Sequence, residues 1–148
     1  MSYFTYDTSV IISRKVTDLP GLPGSFLMSA VVLMELTASA KDDSQRKVYE
    51  RLFRYYQQDN SLIVPDENDW LLASRILFWL TQGRRRITKG KLKRLPAGMA
   101  QRMALDVLIA VSSRRWRATV VTENYDDFKT IQRYCKTKIA KASDFLQR

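Results

Sequence analysis

Four acidic residues lie in stretches where a folding chain would bury apolar surface. Asp7 closes the run Tyr3-Phe4-Thr5-Tyr6, and Glu35 interrupts Ala30-Val31-Val32-Leu33-Met34. Asp106 separates Met103-Ala104-Leu105 from Val107-Leu108-Ile109-Ala110-Val111, and Asp127 comes a few residues after the strand-like Ala118-Thr119-Val120-Val121-Thr122. A carboxylate taken out of water is costly unless its charge is compensated. Each acid therefore needs a local partner, or all of them need one shared cation. In a chain of formal net charge +10, clustering of the four would leave +14 on the remaining residues. That balance points to a divalent-metal site facing a polyanion.

The residue types present narrow the chemistry. The chain has no histidine, which excludes Ser-His-Asp and Cys-His nucleophile systems and His-based cleavage of RNA through its 2′-hydroxyl. Typical zinc sites need His or several Cys ligands, and Cys135 is the only cysteine. That thiol has no partner for an intrachain disulfide or for catalysis and is expected to be packed or idle. The ligands left are Asp, Glu, Asn and hydroxyl oxygens, which suit Mg²⁺ or Mn²⁺. No apolar run approaches the ~20 residues of a membrane span. The first residues, Met1-Ser2-Tyr3-Phe4-Thr5-Tyr6-Asp7, lack the pattern of a secretory signal, so a cytoplasmic protein is expected.

The 148 residues suffice for one domain with a real core. Residues 2–7 favour a strand, and Asp7-Thr8-Ser9 ends it and can cap the next segment. Val10-Ile11-Ile12 is a short apolar stretch, and the prolines and glycines of residues 19–24 mark a loop. Phe26-Leu27-Met28 reads as a second short strand. Ser29 is placed to cap a helix over residues 30–40, on which Glu35 shares a face with Val31 and Val32. A helix is expected over 44–58 and a β-type run at Leu62-Ile63-Val64, stopped by Pro65. The acids of Asp66-Glu67-Asn68-Asp69 open a further helix reaching Leu80. Its apolar residues run nearly all round, so it is expected to be well buried. Residues 84–98 form a basic loop containing Arg84, Arg85, Arg86, Lys89, Lys91, Lys93 and Arg94. A helix over 98–115 carries Asp106, and residues 117–122 read as a strand. A short helix over 126–134 and a last strand at Lys138-Ile139-Ala140 complete the chain. This alternation predicts an α/β fold with a parallel sheet covered on both faces.

In such a sheet, ligands bind beyond the carboxyl ends of the strands. Asp7 and Asp127 lie there, and helices packed on the same end can aim Glu35 and Asp106 at them. Taken singly, each acid has a structural alternative. Asp7 and Asp127 could cap the segments after them, and Glu35 could pair with a buried arginine. Asp106 is hardest to explain that way, because apolar residues flank it on both sides.

The blocks Tyr6-Asp7-Thr8-Ser9, Ser29-Ala30-Val31-Val32-Leu33-Met34-Glu35-Leu36, Leu105-Asp106-Val107-Leu108-Ile109-Ala110 and Val121-Thr122-Glu123-Asn124-Tyr125-Asp126-Asp127-Phe128 resemble, in order and spacing, the PIN-domain ribonucleases, specifically the VapC-type toxins of type II toxin–antitoxin systems. The resemblance covers nearly the whole chain. It implies a three-layer α/β/α fold with a central parallel sheet, and Mg²⁺- or Mn²⁺-dependent hydrolysis of RNA. Asp7, Glu35, Asp106 and Asp127 match the family's acids, while Thr8, Thr122 and Asn124 match positions that support the site through hydrogen bonds. Asp127 is preferred over Asp126 because it precedes Phe128 as the family's acid does. The resemblance also implies a homodimer and an inhibiting antitoxin partner. The segment over 84–98 departs from the family in length and basicity, and would grip RNA phosphates, contact the antitoxin or stay solvated. The competing readings are a non-catalytic basic nucleic-acid-binding domain, with Trp79 and Trp116 near the basic loop, and a receiver-type phosphoacceptor domain, which leaves Glu35 and the positive charge unexplained.

Overall fold

The computed structural model describes residues 2–82 and 98–146. The elements run β1 (Phe4–Tyr6), α1 (Thr8–Ser13), β2 (Met28–Ser29), α2 (Ala30–Ala38), α3 (Asp43–Gln58), β3 (Leu62–Ile63), α4 (Glu67–Thr81), α5 (Met99–Arg115), β4 (Thr119–Thr122), α6 (Tyr125–Gln132), β5 (Lys138–Lys141) and α7 (Ala142–Phe145). The expected alternation is present. Two short helices go beyond what the sequence pattern predicts. α1 forms over the short apolar stretch Val10-Ile11-Ile12, and α7 comes directly after the last strand.

All strand pairings are parallel. β1, β4 and β5 form one ladder in that order, and β2 pairs with β3. A parallel bridge between Phe4 and Phe26 joins the two, with the Leu27 amide donating to the Phe4 carbonyl at 2.8 Å. The spatial order across the sheet is thus β3-β2-β1-β4-β5, with helices flanking it in a three-layer α/β/α arrangement. β1 is central, so Phe4, Thr5 and Tyr6 are all buried and the strand shows no alternation of exposure. From β1 the chain proceeds to β2 on one side and later returns to β4 on the other. The carboxyl ends of β1 and β4 therefore flank a topological switch point, where α/β sheets form crevices.

Burial of the helices reverses one expectation. α4 buries only Asp69, Ala73, Ile76 and Leu80, a stripe at helical spacing, while Trp70 and Phe78 are 55% and 59% exposed. The central helix is α5, in which residues 107–113 are all buried. Periodicity along α4 hid this, because its apolar residues run nearly all round it. α5 starts at Gly98, whose φ of 83° is open to glycine at little cost. Cys135 is a buried free thiol, as its isolation in the sequence suggested. The basic segment, with Arg84, Arg85, Arg86, Lys89, Lys91, Lys93 and Arg94, lies outside the described residues. No helix among the described residues is long and apolar enough to cross a membrane.

Asp69 shows how this fold neutralises a buried acid locally. It is 1% exposed and closes a capping box with Asp66 at the start of α4. Arg115, at the end of α5, donates to its Oδ2 at 2.9 Å and to the Val64 carbonyl at 2.7 Å. Arg115→Met should lower the unfolding free energy by about 2–3 kcal/mol, since a buried carboxylate loses its charged donors. Urea unfolding at neutral pH measures this, and a loss below about 0.5 kcal/mol would place the pair among inert surface contacts.

Candidate active site

The site begins with strand register. Tyr6 pairs with Val121, and the Asp7 amide donates to the Val121 carbonyl at 3.1 Å. Asp7 is thereby set beside Thr122 at the carboxyl edge of the sheet. Its side chain is 1% exposed, and both oxygens are engaged. Oδ2 accepts from Thr122 Oγ1 at 2.6 Å. Oδ1 accepts from the Ser9 hydroxyl and from the Val10 amide at 3.2 Å, which caps α1. The capping role considered for Asp7 is therefore real, and it coexists with a place in the cluster. Burial nonetheless raises its pKa, against the lowering effect of the hydrogen bonds from Ser9, Thr122 and Val10.

Ser29 caps α2 by accepting from the Val32 amide, and the helix presents Glu35 toward α1. Thr8 Oγ1 donates to Glu35 Oε1 at 2.8 Å. Glu35 is half-buried rather than enclosed. Its pKa is raised by burial and, less strongly, by the charge of Asp7.

Asp106 lies just before the fully buried stretch of α5. Its pKa is pushed up to about 7, first by burial and then by the charges of Asp7, Glu35 and Asp127. The four acids singled out in the sequence thus act on one another in the folded chain. Asp127, rather than its neighbour Asp126, is among the charges that raise Asp106. Asp127 is exposed in the first turn of α6. Among the described residues none of the four makes a salt bridge, in contrast to Asp69 with Arg115. Nor, among those residues, do any three acids already form a ligand set for a metal ion.

Two further residues make hydrogen bonds at this junction. Asn124 contributes its backbone amide, which donates to Thr122 Oγ1 at 2.8 Å, and its side chain makes no capping bond to α6. Ser9 was not singled out in the sequence. Its hydroxyl donates to Asp7 and accepts from the Glu123 amide at 3.2 Å, tying α1 to the turn after β4. Its place directly after Asp7-Thr8, in a segment able to cap a helix, was the available signal. Arg14 and Glu123 add an exposed ion pair across the same junction.

No family model and no curated protein matches the chain. Solved structures do. A structure of VapBC-1 from nontypeable Haemophilus influenzae aligns with a TM-score of 0.61 and 16% identity over 95% of this chain and 98% of that one. FitAB bound to an IR36 DNA fragment aligns at 0.57 and 17% identity over 94% of each chain. A DNA-bound VapBC from Salmonella typhimurium aligns at 0.58 and 19% identity over 96% of this chain and 99% of that one. At such identities the likeness establishes the fold. The chain has the α/β/α fold of these aligned chains, with Asp7 and Thr122 at its sheet's switch point.

The raised pKa of Asp106 makes stability depend on pH. Below its ordinary value of 3.8 the group is protonated both folded and unfolded. Between 3.8 and about 7 the unfolded chain releases the proton while the folded one retains it, so stability falls as pH rises through that window. In EDTA, Asp106→Asn should match the wild type near pH 4. At pH 8 it should melt about 3–5 °C higher, the shift that roughly 1 kcal/mol brings in a domain of this size, after discounting for partial exposure. Equal melting curves at pH 8 would show that Asp106 is not strained by its neighbours.

Proposed function

We propose that this chain is a divalent-cation-dependent endoribonuclease, acting as the toxin of a toxin–antitoxin pair. The observation that carries the reading is Asp106, which feels three other acids while none of the four has a cationic side chain paired with it among the described residues. A fold that neutralises Asp69 with its own arginine leaves this cluster to an external cation. The donors are all hard oxygens, which fit Mg²⁺ or Mn²⁺. That no three acids are already gathered into a ligand set is compatible with Mg²⁺, which is usually held by one or two carboxylates and keeps several waters.

In this reading Asp7 and Asp106 hold the cation, and Glu35 and Asp127 complete the acidic rim. When bound, the ion supplies Lewis acidity, lowering the pKa of an attacking water and offsetting charge on the phosphoryl oxygens. The chain's own residues fix the geometry. Thr122, Ser9 and the Val10 amide hold the Asp7 carboxylate in one orientation. Thr8 holds Glu35, whose raised pKa suits it to take a proton from the attacking water. The net charge of +10 supports a polyanionic substrate, and the basic segment with Arg84, Arg85, Arg86, Lys89, Lys91, Lys93 and Arg94 is the proposed region of phosphate contact.

The structural likeness to VapBC and FitAB supports an antitoxin partner, and the homodimer and cytoplasmic setting of this reading rest on the sequence resemblance to VapC-type toxins. The exposed Trp70, Leu71 and Phe78 on the outer side of α4 support a protein-covered face.

Purified protein should cleave single-stranded RNA with Mg²⁺ or Mn²⁺ and stop on addition of EDTA. Asp106→Asn should reduce the rate roughly 10²- to 10³-fold with the fold intact by circular dichroism. Thr122→Val, which removes a donor to Asp7 and the acceptor of the Asn124 amide, should cost about 10- to 100-fold. Salt-sensitive RNA binding with no turnover under any divalent ion, and unchanged in Asp106→Asn, would favour the non-catalytic binding domain instead.

A further inference from the structure

Beside the acids, at the carboxyl ends of β4 and β5, lies a cleft of about 400 Å³. This is within the range of small-molecule sites. It is lined by the turn from Thr122 through Asp127 and by Lys141, Ala142 and Ser143. Strand register aligns it with the candidate active site. Thr122, which donates to Asp7, pairs with Lys141 on β5. Asp7, Thr122 and Lys141 therefore form a row across three adjacent strand ends. Two strand spacings, about 10 Å, separate its extremes.

The lining holds three carboxylates, Glu123, Asp126 and Asp127, beside one cation and one aromatic ring, and it is the last two that suit part of a nucleic-acid strand. Tyr125 opens α6 half-buried, and the Lys141 ammonium lies over its ring at 5.1 Å from the centroid. An aromatic face and a cation thus share one cleft, the pair that binds base and phosphate of an unpaired nucleotide. The Asn124 side chain makes no capping bond to α6, which leaves its amide free to meet a base edge. Nothing in the proposed cleavage chemistry uses Tyr125 or Lys141.

We propose that this cleft is a nucleotide subsite, in which the unpaired base adjoining the scissile phosphodiester stacks on Tyr125 while its phosphate pairs with Lys141. The proposal rests on the nuclease reading for the identity of the strand as RNA. On binding, the internal contact between Lys141 and Tyr125 is exchanged for base on ring and phosphate on ammonium. Because stacking tolerates every base, the subsite demands an unpaired nucleotide more than a particular sequence.

The test uses the full chain carrying Asp7→Asn, which blocks turnover while retaining an N-cap side chain. Single-stranded oligoribonucleotides of about 12 nucleotides carry one 2-aminopurine, moved stepwise along the strand. Fluorescence should be quenched strongly at one position. The quenching should disappear in Tyr125→Ala and persist in Tyr125→Phe, which also controls for folding. Affinity by anisotropy should fall about 10-fold in Tyr125→Ala, and the salt dependence of binding should shallow in Lys141→Gln. With Asp7 restored and Mg²⁺ present, Tyr125→Ala should raise KM more than it lowers kcat. Position-independent quenching, or equal quenching and KM in Tyr125→Ala and wild type, overturns the subsite even if cleavage is robust. Site-specific quenching lost in Tyr125→Ala, in a protein that cleaves no RNA with any divalent ion, supports the subsite and overturns the nuclease reading. A protein that binds none of these strands overturns both.

Discussion

The parallel pairing of β1 with β4 is the constraint on which the molecule depends. Tyr6 opposite Val121 sets Asp7 beside Thr122, and the hydrogen bond between those side chains joins residues from the two ends of the chain. A slip of one residue would turn every side chain of these strands to the other face. Such a slip would take Phe4 and Tyr6 out of the packing they now share with Phe26 and separate Asp7 from Thr122. The burial that holds the sheet together is thus the same interaction that positions the acids. Ser9 and the Val10 amide then make the first helix an extension of that register, since α1 is capped by the very carboxylate that the sheet has placed.

The fold treats buried negative charge in two ways. Asp69 receives Arg115 and the backbone of a capping box, so its charge is settled inside the protein. Asp106 has no cationic partner among the described residues, and its carboxyl is pushed up to about 7, first by burial and then by the charges of Asp7, Glu35 and Asp127. The two acids thus differ in what faces them as well as in their burial. Unfavourable interactions of this kind persist where an external partner relieves them, and such perturbed groups collect at functional sites. The surplus of basic residues elsewhere on the chain has the complementary sense, drawing polyanions toward a place that is itself acidic.

Much of this was legible in the sequence, for identifiable reasons. Asp7, Glu35 and Asp106 stood out because their flanking residues are apolar, and burial is dictated by local composition. Thr8 and Thr122 were legible through resemblance, and each donates to one of those acids. Ser9 escaped notice because a serine after a strand is ordinary, and its value comes from meeting both Asp7 and the Glu123 amide. Asn124, like the two threonines, was legible through resemblance, and it donates its backbone amide to Thr122. Asp69 looked like one more acid at a helix start, since nothing local shows that Arg115 will reach it.

Local pattern by itself determined the element types, the parallel α/β class and the set of acids that needed compensation. These rest on propensity, alternation of elements and the energetic cost of isolated charge, all properties of neighbouring residues. Only the tertiary structure decided that α5 rather than α4 is central, and which buried acid is neutralised from within. It also decided that Lys141 and Tyr125 share a cleft beside Asp7. Those outcomes depend on contacts between segments far apart along the chain, and periodicity along one segment carries no information about what will pack against it.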